Sequence, residues 1–251
     1  MITLLIFLAV LSILVFVHEF GHFITAKRAG LRVEEFGFGF PPRLWGIQRG
    51  NTIYSINVLP FGGFVRIKGE AGEEANDRDS FSSRPVWQRL VIVVAGVGMN
   101  VALTIVLLTG GYMIGFPQII ESELSKYATV RDEHIEVLNV LPKSPAEKAG
   151  LKPGDWIVGG DEHFFVPRRT DEFRAYVAKA VGQPVRLPIR RQETRSAITV
   201  TPEVLEKTGQ PGIGVAIADV GLVRYPVWLA LPKAVEITGF LTKTIVFSFG
   251  G

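Results

Sequence analysis

From Ile2 to Val17 the only polar side chains are the hydroxyls of Thr3 and Ser12, and the apolar texture runs on to about residue 25. About 24 residues at the α-helical rise cross ~30 Å of hydrocarbon, so residues 2–25 predict a transmembrane helix. A second apolar run, from about Trp87 to Phe116, predicts another. Between them, "EEFGFGFPPRLWGI" and "NTIYSINVLPFGGFVRI" alternate apolar and β-branched residues between Gly, Pro and Asn punctuation, which predicts short strands within 31–68. Residues 69–83 form a polar linker.

Beyond the second run the pattern changes to that of a soluble α+β domain over 120–219. "HIEVLNVL", "DWIVGG", "PVRLPIR" and "AITVT" predict strands, and "TDEFRAYVAKAV" predicts an amphipathic helix. On that helix Phe173, Tyr176, Val177 and Ala180 share a face, and Thr170 is the expected cap. The last stretch, 226–251, is apolar but broken by Pro232, Lys233, Glu236 and Lys243. It predicts an amphipathic or membrane-associated helix and no clean third crossing.

Composition fits a membrane protein with a water-soluble part: 47% of the 251 residues are hydrophobic and mean hydropathy is +0.29. The net charge of +3 is spread among nearly as many acids, with no Lys/Arg run longer than two, so no nucleic-acid partner is expected. Without cysteine, disulfides, thiolate metal sites and thiol nucleophiles are excluded. The first apolar run has no Lys or Arg ahead of it and no small-x-small cleavage site, and Lys27 and Arg28 follow it. It therefore reads as a retained span. Its N-terminus is expected outside and the basic loop 26–86 in the cytoplasm, which returns residues beyond the second span to the outside.

"HEFGH" (His18–His22) ends the first span. An ionisable group near a bilayer centre costs about 2.5–3.5 kcal/mol even on the lenient insertion scale, so such groups default to function. Four residues apart on a helix, His18 and His22 can bring two imidazole nitrogens to within about 2.0–2.1 Å of one zinc ion. Glu19, one residue along, stays out of the ligand set yet within reach of the attacking water as general base. The bland alternative is a pair of polar residues at a helix end, snorkelling into headgroups.

At these residues the chain resembles the site-2 protease family of intramembrane zinc metalloproteases, in the bacterial form with one PDZ domain that acts in regulated intramembrane proteolysis. "GFGF" and then "LPFGGFVRIKGE" (Leu59–Glu70) resemble the family's membrane-associated β-hairpin region, where an extended substrate strand is presented to the metal. Gly62-Gly63 also reads as an ordinary tight turn. "QRLVIVVAGVGMN" (Gln88–Asn100) resembles the small-residue segment ending in asparagine, with Val97 in place of the usual proline. By resemblance Asn100 holds substrate backbone; as an alternative it bonds across to another helix. "VLPKSPAEKAGLKPGDWIV", within Leu138–Val158, resembles a bacterial PDZ domain, in which Asp155 is read as structural.

The resemblance implies a multi-span α-helical membrane protein with a membrane-associated β-hairpin region and an inserted α+β PDZ domain. Residues 1–116 would form the N-terminal half of the protease core, 120–219 the PDZ domain and 226–251 the terminal helix. It implies Zn2+ held by His18 and His22, Glu19 as base, and Asn100, Phe61, Gly62 and Gly63 against substrate. The family's third ligand, an aspartate in a Leu-Asp-Gly segment of a later span, is missing before Gly251, so the chain is expected to be truncated there. Glu236 is the only acid of the last segment and reads as a surface-helix charge.

The implied partners are the lipid bilayer and single-span membrane protein substrates, either anti-sigma-factor-like regulators or signal-peptide remnants. The implied location is the bacterial plasma (inner) membrane, multi-pass, with the PDZ domain extracytoplasmic. The alternative is a membrane-tethered PDZ adaptor that binds peptides without cutting them.

Overall fold

The computed structural model describes residues 1–72, 76–120, 124, 126–159, 169–205 and 209–248. They fall into two compact units, Met1–Leu107 with Val235–Gly251, and Leu108–Ala234.

In the first unit, helix α1 (Ile2–Arg28) is followed by strands β1 (Val33–Arg49) and β2 (Thr52–Ile67), then by helix α2 (Val86–Ile114). Among the described residues, α1 and α2 are the helices long and apolar enough to cross a membrane, judged by length and composition. The Ser12 hydroxyl lies 2.7 Å from the Leu8 carbonyl and 3.2 Å from that of Pro60, so the one polar group midway along α1 is spent on backbone acceptors.

The predicted short strands are two long ones. Their ladder is folded on itself: Phe36 faces Tyr54 on one side and Val65 on the other, and Gly37 faces Ser55 and Phe64. The result is a four-segment sheet in which 35–38 is flanked by 53–56 and 63–66, with 43–49 paired outside 52–57. Pairing skips from Phe40↔Leu59 to Arg43↔Asn57, which is where Pro41 and Pro42, lacking N–H groups, break the ladder cheaply.

Gly62-Gly63 lies where β2 doubles back between 53–56 and 63–66, and Gly62 has φ +73°, the left-handed conformation a turn glycine adopts, while Gly50-Asn51 is the turn that joins β1 to β2. A Cβ on Gly62 would meet Val15 at 2.7 Å, and one on Gly63 would meet the Gly37 carbonyl at 2.8 Å and the Phe16 ring at 3.0 Å. Chain reversal at Gly62 and close packing against α1 together account for the pair.

The sheet is fixed to α1 by aromatic rings and by a small apolar core. Phe36 stacks on Phe23 at 4.6 Å between ring centroids and lies tilted against Phe16 at 5.3 Å. Ala26, Leu31, Val33, Ile67 and Ile92 are buried together. The predicted polar linker is partly fastened, because Lys68 Nζ reaches Asp77 (2.6 Å) and Asp79 (3.0 Å) and Phe81–Ser83 forms a short 3-10 turn.

Glu35 is buried within the sheet and accepts from Arg43 Nε at 3.0 Å, with Arg66 at 3.8 Å. Burial works to raise its carboxyl, but hydrogen bonds from Ser55 and Arg43 and the charges of Arg43 and Arg66 outweigh it. The group is held below the ordinary carboxylate value.

In the second unit, β3 (Phe116–Ile119), β4 (Thr129–Val140), β5 (Trp156–Ile157), β6 (Val185–Arg191), β7 (Thr194–Val200) and β10 (Val215–Arg224) form one antiparallel sheet in the order β3-β10-β4-β5-β6-β7. Helices α3 (Pro145–Lys148) and α4 (Thr170–Lys179) and the small ladder of β8 (Glu203–Val204) with β9 (Pro211–Gly212) complete it. Alternate residues Ile135 and Val137 on β4 and Leu187 and Ile189 on β6 are buried with Phe173 and Val177 of α4, with Tyr176 and Ala180 packed beside them.

The unit is wider than the expected 120–219, since Phe116 is already in β3 and β10 runs on to Arg224. Thr170 is not the cap of α4. Arg169 takes that position without a side-chain cap, and the Thr170 hydroxyl donates to Asp219 at 3.2 Å.

Asp155 is fully buried and accepts from Arg191 at 2.6 and 2.8 Å and from the Lys152 N–H at 2.9 Å. Against burial, which raises it, these donors hold its carboxyl below the usual range, a structural role as expected. Helix α5 (Val227–Ser248) runs unbroken through Pro232.

Candidate metal centre

Helix α1 places His18 and His22 one turn apart, their ring centroids 4.8 Å from each other and their planes 77° apart. Ligand atoms of His18, Glu19 and His22 all lie within 4.8 Å of one another, and this is the group among the described residues with metal-holding spacing. All three side chains are half-buried.

What faces them is α2. A Cβ on Gly96 would lie 2.5 Å from His22 Nε2 and 2.6 Å from His18 Nε2, so both nitrogens converge on one point that a missing side chain keeps open. Gly21, between the histidines, permits the same closeness from the other side. A Cβ there would meet the Ala95 carbonyl oxygen at 2.4 Å. Small residues let the two helices approach until imidazoles and backbone touch.

Each imidazole has a polar neighbour at its other nitrogen. His22 Nδ1 lies 2.7 Å from the Ile92 carbonyl oxygen and, as its donor, leaves Nε2 free to bind. His18 Nδ1 lies 3.5 Å from the Asn100 amide. Two free Nε2 atoms aimed at a common gap, with a carboxylate beside them, are the donor set a borderline-soft divalent cation takes. The residues present fit such an ion.

The structure thus brings His18, Glu19, His22 and Asn100 together. Gly62 and Gly63 pack on Val15 and Phe16, just before the motif on α1, and Phe61 stays exposed. Sequence reasoning missed Gly96 and the Ile92 carbonyl. The first had a signal in "GVG", glycines inside an otherwise apolar helix, which point to close packing; the second had none, because every residue carries a carbonyl.

Residues 6–250 match the model of peptidase family M50. A relative in Clostridium perfringens, provisionally described as a zinc metalloprotease, is 36% identical over 219 residues, which is 87% of this chain and 58% of that protein. The zinc metalloprotease Rip1 of Mycobacterium tuberculosis is 31% identical over 265 residues, covering 96% of this chain and 65% of its own. The chain therefore spans about three fifths of the length of these curated relatives. Likeness to solved structures is slight. The crystal structure of the PDZ domain of the SdrC-like protein Lin2157 from Listeria innocua covers 34% of this chain and 92% of its own at 29% identity, with a TM-score of 0.30. With a family match that takes in the helix of the two histidines, the helix that faces them and the sheet between, the chain belongs to peptidase family M50, the site-2 protease family.

Proposed function

We propose that the chain carries the catalytic motif of an intramembrane zinc metalloprotease that hydrolyses peptide bonds in transmembrane segments of membrane-anchored regulators or signal-peptide remnants. The observation that carries this reading is the convergence of the His18 and His22 Nε2 atoms on the gap at Gly96, beside Glu19, at the end of an apolar helix. Bound there, zinc would supply a Lewis acid that polarises the scissile carbonyl and makes water a competent nucleophile at neutral pH.

His18 and His22 hold the ion. Glu19 takes the proton of the attacking water and returns it to the leaving amine, the general acid–base role its offset from the histidines suits. A third protein ligand is required for a hydrolytic site. By the family resemblance it is the aspartate of a Leu-Asp-Gly segment, which does not occur among residues 1–251. Segments of β1 and β2, with Phe61, Gly62 and Gly63, present an extended substrate, whose freed backbone groups need partners in a low-dielectric place.

We read the second unit as the PDZ domain. Its groove, lined by Phe173, Val177, Val215 and Ile217, lies beside α4, where Val215–Ala218 has a described ladder partner only in β4. An extended peptide end added there would screen substrates from the extracytoplasmic side. The N-terminus is outside and the protein is multi-pass in the bacterial plasma membrane.

The test is cleavage of a model transmembrane substrate by the full-length gene product. Glu19→Gln should retain zinc and lose cleavage by about 10²–10⁴-fold, the usual worth of a positioned base. Undiminished cleavage by that variant removes Glu19 from the mechanism.

A further inference from the structure

We infer that Asn100 is a positioning residue for His18, its amide oxygen accepting the His18 Nδ1–H just as the Ile92 carbonyl accepts that of His22. The inference deepens the metal reading above and rests on it. In a neutral imidazole that offers Nε2 to a metal, the proton sits on Nδ1 and needs an acceptor. His22 has one at 2.7 Å. His18 Nδ1 stands 3.5 Å from Asn100 Nδ2, which puts a donor against a donor, while Asn100 Oδ1 is buried without a hydrogen-bond partner.

Exchanging the amide oxygen and nitrogen, which the shape of the planar group leaves interchangeable, sets an acceptor against His18 Nδ1–H without moving the backbone. The oxygen then faces His18 Nδ1–H, and no buried acceptor is left unpaired on this side chain. The order along the helices supports the assignment independently. Ile92, Gly96 and Asn100 are spaced by four and share one face of α2. Opposite them on α1 stand His22, the open point and His18, in antiparallel order. One face of α2 therefore supplies an acceptor for each histidine and a vacant position between the two acceptors. Asn100 would act through His18, not on the substrate backbone.

The test uses the full-length gene product in detergent micelles, with zinc affinity measured by competition with a chelator. It adds the His18 tautomer, read from ¹⁵N chemical shifts of histidine-labelled, metal-free protein and assigned with His18→Gln. Asn100→Leu, similar in size but without an acceptor, should weaken zinc binding about 10–100-fold and release His18 from the Nδ1–H form. Asn100→Asp, which keeps an acceptor, should bind zinc as tightly as the parent chain or more so. Unchanged affinity and tautomer in a folded Asn100→Leu protein would overturn the inference, and so would loss of zinc by Asn100→Asp equal to that of Asn100→Leu. A parent chain that binds no zinc defeats the metal reading itself. The tautomer shift on Asn100→Leu then still decides whether Asn100 orients His18.

Discussion

A side chain at position 96 would strike His22: the Cβ it requires lies 2.5 Å from the imidazole Nε2, and His18 Nε2 is 2.6 Å away on the other flank. The metal gap is therefore a property of two helices, one giving nitrogens and the other giving nothing. Gly96→Ala should lower zinc affinity by at least about 10-fold, read by chelator competition. Alanine is the better helix former by about 1 kcal/mol, so circular dichroism should report α2 intact and separate lost space from lost structure.

Asp155 predicts the pH response of the second unit. Its folded value is depressed, so its contribution to stability is fully present above the unfolded value of about 3.9 and is lost as pH falls through the folded one. Thermal denaturation between about pH 2 and 7 should show this acid limb, and Asp155→Asn should flatten it while costing about 2 kcal/mol at neutral pH, the worth of hydrogen bonds to a charged group.

Glu35 and Arg43 should behave as a coupled pair. Arg43→Met leaves a buried carboxylate with the Ser55 hydroxyl and with Arg66, 3.8 Å away and largely exposed, and should loosen the β1–β2 sheet by about 1–3 kcal/mol. The double variant Glu35→Gln with Arg43→Met should recover much of that loss, since no unpaired charge remains. Hydrogen exchange of residues 52–57 measures both.

Phe173 is 2% exposed at the centre of the second unit's core. Phe173→Ala should cost about 3–5 kcal/mol and lower the melting temperature, whereas Tyr176→Ala, at the margin of the same cluster, should cost less.

The histidine pair was legible because a four-residue spacing on a long apolar run fixes a helix face by itself. Strands β4 and β6 were legible because burial alternates along them with period two. Strands β1 and β2 were legible too, within two residues at each end, but their folded pairing was not, because it depends on where Pro41, Pro42 and the glycine pair interrupt the ladder, and such interruptions look like strand ends in a sequence. Position 96 was hidden for a different reason: a glycine declares its purpose only when the facing helix is known. Thr170 was misjudged because a hydroxyl at a helix start serves an aspartate far along the chain as readily as the turn above it.

The doubled ladder around 35–38 has a mechanical consequence. That central segment has both rims of its backbone occupied, so among the described residues 43–49 and 63–67 are the lines along which the sheet can grow. A guest chain joining either line extends a stack already clamped to the first helix by Phe16 and Phe23, and inherits its rigidity from that helix.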